Sequence, residues 1–185
     1  MKLYLTSEQM LGYWRLLRGY EPLRSDHAVT RRDGIDLDSL LMKEISAWYS
    51  NLLDTAPVEM LVTTDISSSL AAVTSPDLSA TVTLPDSCRR LFSIALRGWE
   101  HSAVVVPLVD NPDLFDEQFN PFTRGCPQRP VAILMPDRTV RLYSMPSLTA
   151  LPVVERAVAV VEPSDGTFQF DSRALDLIPK YEFMP

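Results

Sequence analysis

Fourteen of the fifteen prolines fall at or after Pro57, and only Pro22 precedes it. Proline inside a helix removes a backbone hydrogen bond and clashes with the preceding turn, so long helices are confined to the first third of the chain. After Pro57 the apolar stretches shorten to five to eight residues rich in Val, Ile, Leu and Thr, which is the pattern of short strands. The expected strands cover 59–66, 70–74, 80–84, 91–97, 103–109, 131–135, 139–143 and 156–161. Ser75-Pro76-Asp77, Pro136-Asp137-Arg138 and Ser164-Asp165-Gly166 supply turns between them. Residues 171–178 read as a short closing helix ended by Pro179.

Ahead of Pro57 the period changes. Thr6 with Gln9 reads as a capping box, and Met10, Leu11, Trp14 and Leu17 recur at helical spacing until Gly19, giving a helix over 7–18. Asp36 caps a second helix. In it Leu37, Leu41, Ile45, Trp48 and Leu52 form one stripe, widened by Leu40 and Tyr49, and the helix stops before Pro57. The expected fold is therefore α+β: two N-terminal amphipathic helices, then an antiparallel β-sandwich or barrel-like body and a short C-terminal helix. At 185 residues one domain is expected, with a helical part over 1–56 and a β-rich part over 57–185.

Residues 20–35 make a polar connection containing Pro22, Asp26, Asp33 and Gly34, longer than the two to eight residues usual between packed helices. Leu23 and Val29 are its main apolar side chains. Burying both gains about 3 to 6 kcal/mol, while ordering the backbone costs about 1 to 2 kcal/mol per residue. The segment is thus expected to order against a neighbouring chain, with Arg24, Arg31 or Arg32 pairing to that neighbour's acids.

Apolar residues at 46% and charged residues at 22% describe an ordinary globular balance. The net charge of -7 is uneven. Residues 1–35 hold six Lys or Arg against four acids, or +2, and the rest hold eleven against twenty, or -9. Tight binding to a nucleic-acid backbone needs clustered cations, so an acidic body argues against it. Arg occurs fourteen times and Lys three, a usage that both contact surfaces and G+C-rich genomes produce. The longest apolar run, 103–109, is too short to span a membrane, and Thr6 to Gln9 interrupt any leader-like stretch, so synthesis and action in the cytoplasm are expected. Cys88 and Cys126 form no CxxC pair and read as free, buried thiols in a reducing compartment.

No pattern of chemistry emerges. His27 and His101 have no second ligand at a zinc spacing, and Asp33, Asp36 and Asp38 suit the start of a helix better than a calcium loop. There is no GxSxG, GxxxxGK[ST] or GxGxxG motif. Catalytic, metal and cofactor residues are accordingly expected to be none.

Two segments stand out: 84–91 with Trp99 after it, and the proline-rich stretch 120–130. The second carries Phe122, Arg124 and Arg129, and it reads either as a contact surface or as a rigid connector whose Phe122 caps the core. The ordered pieces Leu-Pro then Cys-Arg-Arg-Leu, Gly98-Trp99, Asn-Pro-Phe-Thr-Arg-Gly, Pro130-Val131 and Leu142-Tyr143-Ser144 resemble small virion proteins of tailed phages and prophages of gut Bacteroides-like hosts. The resemblance extends to head-to-tail adaptors of short-tailed phages. It implies a non-enzymatic subunit of a homo-oligomeric ring that meets portal, other connector or tail proteins. Such a subunit is made in the host cytoplasm and resides in the virion, without cofactor or membrane. The interface candidates are Arg24, Arg31, Arg32, Phe122, Arg124 and Arg129. A different class, a cytoplasmic enzyme or small-ligand domain, rests on Asp110, Asp113, Asp116 and Glu117 lying close in sequence to Arg124 and Arg129.

Overall fold

The computed structural model describes residues 1–18, 37–145 and 151–179. In chain order the elements are β1 (Lys2–Leu5), α1 (Ser7–Leu17), α2 (Leu37–Thr55), β2 (Thr64–Asp65), β3 (Ala72–Ser75), β4 (Ser79–Thr83), β5 (Cys88–Leu96), β6 (Ala103–Pro107), α3 (Pro112–Asp116), β7 (Val131–Leu134), β8 (Thr139–Tyr143), β9 (Val154–Val161) and β10 (Phe168–Asp171). Short 3-10 helices fill several gaps, among them Ser172–Leu177, which takes the place of the short closing helix expected over 171–178. The fold is mixed α+β, and no helix among the described residues is long and apolar enough to cross a membrane.

Two compact units form: residues 1–62 with 162–185, and residues 63–161. In the first, Thr6 accepts the Gln9 N–H at 3.3 Å and Gln9 Oε1 accepts the Thr6 N–H at 3.0 Å, so the capping box starts α1 as the sequence predicts. Met10 and Trp14 are buried from α1, and Leu41, Ile45, Tyr49, Leu52 and Leu53 from α2. Arg15 pairs with Asp38 and Arg18 with Glu44. Asp33 and Asp36 lie outside the described residues. The apolar side of this unit is aromatic: Trp48 stands edge-on to Trp14 at 5.7 Å and to Phe170 at 5.5 Å, and Tyr49 to Phe168 at 5.0 Å. Strands β1 and β10, which the sequence pattern does not announce, pair antiparallel as a two-stranded ribbon.

The second unit is one curled eight-stranded sheet, a half-barrel in the order β2-β9-β5-β6-β7-β8-β4-β3. Of the two expected bodies it is the barrel-like one and not a sandwich, and it is not wholly antiparallel, because β6 runs parallel to β7 through Val105↔Ala132, Val106↔Ile133 and Pro107↔Leu134. Parallel neighbours cannot be joined by a tight hairpin, so residues 108–130 form a crossover instead. Ala80, Val82, Ile94, Leu96, Ala132, Val140, Leu142, Ala157 and Ala159 fill the core. Val131, Ile133 and Tyr143 alternate onto the other face, where Leu108, Leu114 and Phe115 of the crossover cover them.

Candidate functional site

The crossover is tied down by polar side chains. Asn111 caps α3 by accepting the Leu114 N–H at 3.1 Å, with Pro112 in the first turn. Gln118 is buried. Its Nε2 donates to the Leu114 carbonyl at 2.8 Å and its Oε1 accepts the Gly125 N–H at 3.0 Å, so both ends of the amide are used. Thr123 Oγ1 donates to the Glu117 carbonyl at 2.8 Å, and Arg124 N–H to the Asn120 carbonyl at 2.9 Å. Cys126 and Arg129 exchange backbone hydrogen bonds at 3.1 and 2.8 Å.

From this frame the loop meets strand residues. Arg124 Nη2 donates to the Asp77 carbonyl, and its guanidinium lies 6.0 Å from the Tyr143 ring centre. Pro76, Asp77, Gln118, Phe119, Arg124 and Tyr143 line a hollow of about 210 Å³. The Ser79 hydroxyl, 2.6 Å from Asp77, holds that carboxyl below its ordinary value, with Arg124 adding to the effect. Burial pushes the Tyr143 phenol up, against the pull of Arg141 and Arg124. Nearby, Trp99 Nε1 donates to the Ser144 carbonyl at 2.9 Å, and Glu100 N–H to the Pro127 carbonyl at 3.0 Å. Segment 84–91 lines a more apolar hollow of about 260 Å³ with Cys88, whose thiol burial pushes up. Arg138 closes that end by donating to the Pro85 and Cys88 carbonyls at 2.8 and 2.9 Å.

The predicted residues therefore separate. Phe122 is 97% exposed and does not cap the core, while Arg129 is exposed and donates to the Thr123 carbonyl at 3.1 Å. Arg124 is half-buried and engaged with the hollow. Asp110, Asp113, Asp116 and Glu117 are all exposed, none lines the hollow, and among the described residues no ion pair joins them to Arg124 or Arg129. Cys126 is exposed, unlike the buried thiol expected, and bridges to Arg129 through its backbone. Arg24, Arg31, Arg32 and the rest of residues 20–35 lie outside the described residues. Among the described residues no three His, Cys, Asp or Glu side chains gather as metal ligands. Asp77 and Tyr143 are brought near each other by the β4–β8 pairing, which sets Ser79 opposite Tyr143, and Gln118, which no sequence pattern singles out, joins them through the crossover. The chain matches no model of a known protein family and no curated protein.

Proposed function

We propose that the chain is a non-enzymatic structural subunit of a phage particle that forms or joins a ring in the head-to-tail connector, with the 120–130 loop as one of its contacts. Phe122 carries the contact part of this reading. A phenylalanine 97% exposed on a loop held by its own hydrogen bonds, beside Phe119 at 65%, is a preorganised apolar anchor. Burying such a ring against a partner gains about 1.5 to 3 kcal/mol, and no loop ordering offsets it. Arg129 at its side supplies a planar donor group of the kind enriched at interfaces. The two N-terminal amphipathic helices and residues 20–35 supply the opposite patch, since a cyclic ring joins unlike surfaces. The resemblance supplies the setting of the particle.

Phe122→Ala removes a ring that the subunit's own fold does not use. Assembly, followed by sedimentation, should fall by about tenfold or more in affinity while the melting temperature stays where it was. Unchanged assembly would overturn the contact. The gene should lie among portal, capsid and tail genes, and a metabolic operon would overturn the setting.

A further inference from the structure

Among the described residues the ribbon of β1 and β10 has one side unclaimed. Its register sets Lys2 against Asp171, Leu3 against Phe170, Tyr4 against Gln169 and Leu5 against Phe168. The Ser172 N–H donates to the Met1 carbonyl at 2.7 Å, which fixes the residue pairs that exchange hydrogen bonds: Met1 with Ser172, then by alternation Leu3 with Phe170 and Leu5 with Phe168. Lys2 and Tyr4 consequently turn their N–H and C=O groups away from β10. The same alternation turns the backbone groups of Gln169 away from β1, and Tyr49 with the Leu61–Phe170 bridge closes that side. The Gln169 N–H donates to the Tyr49 hydroxyl at 3.1 Å, and this hydroxyl donates to the Gln169 carbonyl at 3.4 Å.

Strand β1 has no such cover. Among the described residues nothing bonds the outward backbone groups of Lys2 and Tyr4, and Tyr4 is 62% exposed. A lysine side chain commonly guards an open edge. Here Lys2 Nζ is folded back onto the Glu59 and Leu61 carbonyls, leaving the edge open.

We propose that β1 pairs antiparallel with β1 of a second copy of this chain, centred on Leu3. The two outward residues are two positions apart, so a two-fold axis at Leu3 sets Lys2 of each copy against Tyr4 of the other and uses every free donor and acceptor on both strands. A slip by two residues leaves half of these groups unmade. This pairing does not rest on the phage reading. In a ring it would join two rings back to back and make the copy number even.

Tyr4→Pro tests it in the full chain. Among the described residues the Tyr4 N–H bonds nothing, so proline fits this edge position, but it deletes a hydrogen bond from each side of the pair. Dimer affinity in sedimentation should weaken by about tenfold or more. Separately, in a Cys126→Ser background, a Lys2→Cys chain mixed with a Tyr4→Cys chain should oxidise to a dimer of unlike chains, and neither alone should cross-link. Directly opposed residues at about 5.5 Å lie within disulfide reach, and residues two positions out of register do not. A chain that stays monomeric up to its solubility limit, or a dimer indifferent to Tyr4→Pro, would overturn the proposal. If Tyr4→Pro lowers the melting temperature, the cross-linking pattern alone decides, and its absence overturns the pairing.

Discussion

Asp171 shows how much one carboxylate can organise. It accepts from the Met1 ammonium at 2.9 Å through Oδ2, and from Arg173 Nε at 2.8 Å and the Arg173 N–H at 3.2 Å through Oδ1, so it ends β10 and caps the 3-10 turn after it. Arg173, then the N-terminal ammonium, hold its carboxyl far below the ordinary range. A carboxyl depressed in the folded state contributes stability that is full above its unfolded value of about 3.9 and fades as pH falls toward the folded value. Asp171→Asn should therefore melt lower than the wild type at pH 7, and the gap should shrink as pH drops below about 4. Melting curves across pH check this, and a gap that is constant or widens in acid would contradict it. Residue identity alone did not single out Asp171, because nothing in Phe-Asp-Ser-Arg tells a cap from a surface acid until β1 arrives beside it.

At the scale of elements, the crossover and the end of β8 are fitted to each other. A Cβ on Gly125 would stand 2.6 Å from Ser144 Oγ, 3.1 Å from Val131 Cγ2 and 3.3 Å from the Arg129 carbonyl oxygen. Ser144 itself has φ 102, a conformation that side chains resist, and among the described residues its buried hydroxyl has no hydrogen-bond partner. Gly125→Ala should cost about 1 to 3 kcal/mol, and adding Ser144→Gly should recover much of it, since one change removes the atom that the other strikes. Denaturant unfolding of the two single variants and the double variant measures this, and strict additivity would refute it. The turns and most strands were legible because prolines and short apolar runs punctuate them: β8 falls where expected, and β4 and β7 lie within a residue of it. The parallel pair was not legible, since alternation says which face a side chain takes and nothing about which strand lies next to it. Of the candidate site, the loop could be read from its composition. Its partners Asp77, Tyr143 and Ser144 could not, because their roles come from contacts remote in sequence, and Gln118 could not, because its bonds to Leu114 and Gly125 exist only once the crossover is folded. The open sheet edges differ in the same hidden way. At β2 the strand is two residues long and Asp65 spends its carboxylate on the Ala157 N–H at 3.1 Å, whereas β3 carries no charge and exposes Val73.

Across the whole molecule the two units differ in kind, because residues 63–161 are continuous whereas the other unit needs both 1–62 and 162–185. A chain cut after Val161 should keep slow amide exchange in β5 and β9, whose pairing is complete within it, and lose protection in α2, whose Tyr49 packs on Phe168 and bonds Gln169. Exchange mass spectrometry would show it, and an α2 that stayed protected would count against the division. The discontinuity also acts during synthesis. A ribosome adds roughly 5 to 20 residues per second, so β1 emerges on the order of ten seconds or more before β10 exists. Through that interval the strands from β3 to β8 can pair, with β9 joining only just ahead of β10, while the Lys2–Leu5 strand and both early helices stay without the aromatic ladder of Phe168 and Phe170. The oldest part of the nascent chain is then the last to become native, and chaperones in the producing cell would find their binding sites at its leading end.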